Sequence, residues 1–269
     1  MTTTTVALKT SKIIAEVRDG VGWLTFNSPE RRNAVSLEMW QGMADATAAF
    51  EADPAVRVVV MHGAGGKSFA AGADISEFEQ HRANAEQKKN YGEISARGQQ
   101  GLANLSKPLI AMIQGFCIGG GLASALNADV RFATPGSKFG IPAAKLGRGY
   151  DDPGLATLAP LVGPAVARDI LFSARFLEAE EALQRGLIYF VVDDAQLEAQ
   201  VREYAGRIAA NAPLTVHAAK AAMNAFEHYS DLAAPAEIKA LVDRCFDSED
   251  YKEGRRAFME KRPPAFTGR

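Results

Sequence analysis

The stretch Gly119 to Asp129, GGGLASALNAD, places three consecutive glycines at the mouth of an apolar helical pattern. The first turn of a helix carries N–H groups with no intrahelical acceptor, and glycine lets a ligand approach the main chain itself. Such a turn can hold a negatively charged oxygen, although the same pattern also serves tight turns and close helix packing. A second glycine-bearing segment, MHGAGGKSFAAGADISEF, ends in Ala71, Gly72, Ala73 and Asp74. It follows the buried run VRVVV, as the triple glycine follows PLIAMI, so both loops leave the C-terminal edge of a sheet, where ligands of open α/β folds gather. Two such loops can aim two backbone N–H groups at one oxygen, the arrangement that stabilises an oxyanion.

The remaining chemistry-bearing side chains do not form a pattern of their own. His62 ends a buried strand and reads as structural, and His81, His217 and His228 have no metal-ligand spacing to a partner. Cys117 and Cys245 are too few and too far apart for a disulfide framework and read as packing groups, which suits a reducing compartment. Glu77 and Glu93 follow the first loop, where Glu93 reads as part of a solvated helix face. Asn127, one helical turn beyond Ala123, reads as a buried structural amide.

Elements able to position the two loops are legible in the periodicity. KIIAEVRDGVGWLTFN reads as two strands around Asp19-Gly20, and a helix runs from Ser36, its N-cap, towards Pro54. VRVVVMHG, PLIAMIQG and DVRFAT are continuously apolar, the character of strands buried on both faces, with helical patterns between them such as Glu93 to Leu105. This order predicts an α/β protein with parallel pairing. From about Ala195 the pattern becomes all helical, which divides the chain into a core over 1–195 and a helical region over 196–269.

The chain has 269 residues, 47% of them hydrophobic, enough for a substantial core. Thirty Lys and Arg against 32 Asp and Glu leave a net charge of -2, with no global drive towards nucleic acid or an acidic membrane. The N-terminal MTTTTVALKTSK lacks an apolar core of signal-peptide length, and no membrane-spanning apolar run occurs, so the expectation is a soluble cytoplasmic protein.

KSFAAGADI, followed by PLIAMIQGFCIGGGLASALNADVRFAT, closely resembles the enoyl-CoA hydratase/isomerase, or crotonase, superfamily. The likeness runs from VGWLTFNSPERRNAVS to EDYKEGRRAFMEKRPPAF, nearly the whole chain. The resemblance implies a crotonase (ClpP-like) fold of repeated ββα units, with a helical C-terminal region that builds homotrimers and often hexamers as dimers of trimers. It implies an acyl-CoA thioester substrate, CoA being part of the substrate rather than a separate cofactor. By position, the two N–H donors fall on Ala73 and Gly120. Arg31 and Arg32 would meet CoA phosphates, a task that suits the guanidinium fork. Ala71, Asp74 and Ile75 would line the adenine and pantetheine path, and Lys261 with Arg262 would reach a 3'-phosphate.

The resemblance also exposes departures. Hydratases of the superfamily carry two glutamates, three residues after the middle glycine and just after the FG-x-P strand end. Here those positions are Ala123 and Ala143, neither of which can move a proton. KLGRGYDDPGLATL replaces a glycine-rich turn and brings Tyr150, Asp151 and Asp152 to the site region. Asp151 or Asp152 can cap the following helix or take part in the reaction, since dienoyl-CoA isomerases and chlorobenzoyl-CoA dehalogenase have a working aspartate in the corresponding loop. Tyr150, the ILFSARFLEAEEALQRGLI segment and the C-terminal FDSEDYKEGRRAFMEKRPPAF are similar to methylmalonyl-CoA decarboxylase, whose tyrosine contacts a substrate carboxylate and whose reaction needs no base. Against that stand Ala73, where the decarboxylase has histidine, and the repulsion of Asp151 and Asp152, about 4 kcal/mol at 4 Å unless Arg148 compensates. Three readings stay open: an atypical hydratase or isomerase, a decarboxylase, and a non-catalytic acyl-CoA-binding protein.

Overall fold

The computed structural model describes residues 3–77, 85–146, 154–228 and 236–269. The chain opens with β1 (Thr3–Thr5), which pairs antiparallel with β2 (Ile13–Arg18), itself in a hairpin with β3 (Val21–Phe26). Asp19 and Gly20 both take positive φ, 50° and 78°, as a two-residue turn between right-twisted strands requires. The helix α1 (Leu37–Ala52) follows, with the Ser36 side chain accepting the Met39 N–H as its N-cap and an end just short of Pro54.

The unit strand, short strand, helix then repeats. β4 (Val58–Gly63) and β5 (Ser68–Ala70) precede α2 (Ala85–Ala103). β6 (Leu109–Ile113) and β7 (Phe116–Ile118) precede α3 (Gly120–Leu126), and β8 (Val130–Ala133) and β9 (Lys138–Gly140) precede α4 (Gly154–Val162). After α5 (Pro164–Ser173) come β10 (Leu177–Glu178), α6 (Ala179–Gln184) and β11 (Phe190–Val191). Four helices close the chain: α7 (Leu197–Ala209), α8 (Pro213–His228), α9 (Ala236–Phe246) and α10 (Glu249–Glu260).

Two sheets result, in the orders β1-β2-β3-β4-β6-β8-β11 and β10-β9-β7-β5. The expected parallel pairing is present from β3 to β11, and the ββα repeat gives the expected fold. The second sheet is an addition to the sequence reading. β5, β7 and β9 are three residues each, too short to show an alternating pattern, and a glycine stands close to each of them. The two glycine-bearing loops therefore leave β5 and β7, which are themselves adjacent and parallel, rather than leaving β4 and β6 directly.

The continuous apolar character of β4 and β6 has the anticipated cause. Val59, Met61, Leu109, Ala111 and Ile113 face one core with residues of α1, α2 and α3, while Val58, Val60, Ile110 and Met112 face another, under Leu197, Val201 and Ala205 of α7. His62 lies on the α7 side, bonded to Thr25 Oγ1 at 2.9 Å and edge-on to Trp23. Burial lowers the pKa of its ring, so the structural reading of His62 holds. Cys117 is fully buried with its thiol pushed up by desolvation, which makes it an inert packing group.

One positioning device was invisible in the sequence. Arg131 on β8 is 2% exposed. Its guanidinium donates to Ala128 O (2.5 Å), Ala125 O (3.4 Å), Leu187 O (2.7 Å) and Tyr189 Oη (3.0 Å). A buried cation is tolerated only when its donors are satisfied, and here they hold the carbonyls at the C-terminal end of α3, the helix that begins at Gly120. Among the described residues, no helix is long and apolar enough to cross a membrane.

Candidate active site

The loop after β5 and the loop after β7 meet main chain to main chain. Val35 forms a parallel bridge with Ala73, in which Val35 N–H donates to Gly72 O (2.7 Å) and Asp74 N–H donates to Val35 O (3.0 Å). A parallel bridge of this kind uses the groups on either side of the central residue, so the N–H of Ala73 points away from Val35. A Cβ built on Gly120 would stand 3.8 Å from Ala73 N. The N–H of Gly120 is the first of α3 and lies outside the intrahelical ladder.

Each of the three glycines answers a different demand. Gly119 has φ 52° and ψ -117°, a conformation closed to residues with a Cβ. Gly121 is packed on β5 so tightly that a Cβ would fall 2.2 Å from Ala70 O. Gly120 has neither constraint: a Cβ there would meet Trp40 Cζ2 at 3.5 Å, Ala73 N at 3.8 Å and Gly72 C at 3.9 Å, all ordinary contacts. Among the described residues nothing excludes a side chain at Gly120, which leaves the space beside Ala73 N as what such a side chain would fill.

The first loop is held by a compact polar latch. Arg31 Nη1 donates to Asp74 Oδ2 (2.9 Å) and to Ser76 Oγ (2.5 Å), while Asp74 Oδ1 accepts Ser76 N–H (3.0 Å) and Ser76 Oγ–H (2.6 Å). Burial acts to raise the Asp74 pKa, but the Ser76 hydrogen bonds and the Arg31 guanidinium outweigh it and hold the carboxyl below its ordinary 3.8. Since the folded value is depressed, the stabilisation is fully present above about pH 4 and fades as the pH falls through the folded value. Asp74→Asn is expected to lower stability at pH 7 by about 1.5 kcal/mol, the lower end for hydrogen bonds to a charged group because Arg31 is more than half exposed. Urea titrations at pH 7 and pH 3 check this, the difference from wild type shrinking at the lower pH.

Two further groups tie this region together: Asn33, unremarked in the sequence, and Glu77, noted there only for its place after the first loop. Asn33, fully buried with φ 55°, donates from Nδ2 to Ala64 O (3.0 Å) and Ser68 O (2.8 Å) and accepts Ser28 N–H (2.9 Å). Glu77, in the short 3-10 turn Ile75–Glu77, accepts the Leu37 N–H at the start of α1 (2.9 Å). The only signal for Asn33 was that asparagine tolerates left-handed torsions.

The other expected residues fall as follows. Ala71 and Ala73 are half-buried beside one another, and Ile75 begins the 3-10 turn. Arg32, exposed and left-handed, sets its guanidinium 5.2 Å from the centroid of the Phe116 ring. Asp74 is paired with Arg31, whose side chain stays more than half exposed. Lys261 is the exposed, left-handed C-cap of α10, and among the described residues no hydrogen bond or ion pair joins it to residues 71–75. Arg262 is paired with Glu253 and Glu260. Ala123 is buried on α3 and Ala143 half-buried after β9. Asn127 donates to Gln99 Oε1 (2.8 Å) and Ala123 O (2.9 Å), a structural amide. Glu93 is exposed on α2 near Lys89. His81, Arg148, Tyr150, Asp151 and Asp152 lie outside the described residues.

A two-sheet α/β core of repeated ββα units, with glycine-lined loops meeting at adjacent strand ends, defines the crotonase class of protein. The family model for enoyl-CoA hydratase/isomerase matches residues 16–269, and the chain belongs to that family. The short-chain-enoyl-CoA hydratase of Clostridium acetobutylicum is 35% identical over 256 residues, covering 95% of this chain and 97% of the relative. Carnitinyl-CoA dehydratase of Proteus mirabilis is 34% identical over 249 residues, covering 89% and 92%. Among solved structures, an enoyl-CoA hydratase/carnithine racemase from Magnetospirillum magneticum aligns with a TM-score of 0.90 at 38% identity, over 97% of each chain.

Proposed function

We propose that this enzyme binds an acyl-CoA thioester with its carbonyl oxygen between the N–H groups of Ala73 and Gly120 and stabilises the enolate formed there. The observation that carries the reading is the meeting of Ala73 N with a glycine that no contact among the described residues requires. Charge that develops on the oxygen in the transition state is met by donors already in place, so no reorganisation is needed at the moment of reaction. Arg31 and Arg32, both exposed at the turn before Val35, are the groups offered to CoA phosphates. Ala71 and Ile75 line the pantetheine path, and Lys261 the 3'-phosphate.

Addition of water to a conjugated thioester pushes an electron pair from the double bond onto the carbonyl oxygen, after which the α-carbon takes a proton. Ala123 and Ala143 supply no group for either proton transfer. Asp151 is the residue we assign to that work, in a hydration, dehydration or isomerisation of an enoyl-CoA. The relatives' activities as hydratase and dehydratase support this class of reaction. The two alanines favour one other reading: loss of carbon dioxide from a malonyl-type thioester yields the same enolate without a base, with Tyr150 at the carboxylate. Mass spectrometry of the acyl-CoA pool separates the two, since hydration adds one water and decarboxylation removes one carbon dioxide. Turnover of neither substrate class contradicts both and leaves acyl-CoA binding alone.

The region 196–269 is proposed as the assembly unit of a homotrimer or hexamer. Phe226, Phe246, Phe258 and Met259 are exposed, the last two 83% and 80%, and a groove of about 910 Å³ between α8, α9 and α10 is lined by Ala219, Val242, Phe246 and Phe258. Apolar area of this kind on a monomer marks an interaction surface. Sedimentation velocity is expected to show no monomer at micromolar concentration.

A further inference from the structure

Trp40 on α1 has its indole held along two edges and turns a third towards Gly120. Nε1–H donates to Tyr91 Oη on α2 at 3.3 Å. Helix α2 crosses so close that a Cβ on Gly98 would lie 2.9 Å from Trp40 Cε3 and 2.7 Å from Trp40 O. On the third edge, Cζ2 stands 3.5 Å from the position of a Cβ on Gly120. Trp40 is 4% exposed and Tyr91 3%. Held by Tyr91 on one edge and by the backbone at Gly98 on another, the ring cannot swing aside unless α2 moves.

We propose that Trp40 is a specificity-determining residue, a fixed wall that ends the acyl space beside Gly120 and restricts the enzyme to short acyl groups. The inference rests on the reading that the thioester oxygen binds at Ala73 and Gly120. The acyl chain leaves the thioester carbon one bond from that oxygen, so its first carbons lie beside the same glycine. Growth of the chain in that direction meets the Cζ2 edge of the indole, and the grip of Tyr91 and Gly98 prevents the ring from swinging aside. An apolar wall discriminates by volume: a methylene admitted to an apolar pocket strengthens binding by about fourfold, and one that meets a rigid ring is refused. Exchange of tryptophan for leucine frees room for roughly two methylenes.

Calorimetric titration of the full-length protein with CoA, butyryl-CoA and hexanoyl-CoA tests the wall without relying on the reaction. Wild type is expected to bind butyryl-CoA more tightly than CoA, and hexanoyl-CoA no more tightly than butyryl-CoA. In Trp40→Leu, hexanoyl-CoA is expected to gain about tenfold relative to butyryl-CoA, with CoA itself unchanged. Trp40→Phe keeps an aromatic ring under Gly98 while withdrawing the Cζ2 edge, and it is expected to shift the ratio by about fourfold; it carries the test if circular dichroism shows the leucine variant unfolded. An unchanged ratio in a folded variant overturns the wall, as does a wild type that already prefers hexanoyl-CoA. A wild type that binds both acyl-CoAs no more tightly than CoA contradicts the Ala73 and Gly120 reading itself, and the inference falls with it.

Discussion

Gly120→Ala is expected to leave the protein folded and to lower kcat/KM on its acyl-CoA substrate by at least about a hundredfold. The added methyl would sit at van der Waals distance from Trp40, Ala73 N and Gly72 C, so the core absorbs it without rearrangement. It would occupy the space beside the Ala73 N–H, where the thioester oxygen is placed, and loss of one donor from such a hole typically costs about 2.7 to 4 kcal/mol in the transition state. The neighbouring substitution separates this from a general packing defect. Gly121→Ala would drive its methyl to 2.2 Å from Ala70 O, a contact that forces α3 off β5 and costs about 3 kcal/mol or more in stability. Thermal melts with steady-state rates on both variants check the pair: near-wild-type melting with lost activity for Gly120→Ala, depressed melting for Gly121→Ala.

The double substitution Ala123→Glu with Ala143→Glu is expected to raise crotonyl-CoA hydration by about a hundredfold or more, the scale of one positioned acid–base group. Ala123 is three residues along α3 from Gly120 and so shares its face, and Ala143 sits just past β9, whose Gly140 accepts the Gly119 N–H at 2.8 Å. Both positions thus adjoin the proposed hole through elements that Arg131 and the β7–β9 pairing hold in place. Initial rates of crotonyl-CoA loss in wild type, each single variant and the double variant check it, with the double exceeding either single. A double variant that binds CoA esters but gains no hydration would show that supplying carboxylates at these positions is not enough for that reaction.

Long-range features were readable where periodicity carries them. The buried runs at Val58 and Leu109 gave strands apolar on both faces because a core lies on each side, and Ser36 capped α1 as its hydroxyl allows. The short strands β5, β7 and β9 were not legible, since three residues carry no period and their pairing depends on partners elsewhere in the chain. Of the site, the two loops were evident from glycine and from resemblance. The roles of Asn33, Arg131 and Trp40 were not, because each acts through backbone groups or ring edges that only tertiary packing brings near. Nor were the partners of Asp74 legible, since Arg31 lies 43 residues away in the chain and only the fold brings its guanidinium to the carboxylate.

The central claim is tested most directly by a crystal structure of the enzyme with a saturated acyl-CoA. The account predicts the thioester oxygen within about 2.7 to 3.1 Å of both Ala73 N and Gly120 N, with the acyl chain against Trp40. A thioester oxygen bound beyond hydrogen-bonding distance of Gly120 N, with the CoA otherwise ordered, would contradict it.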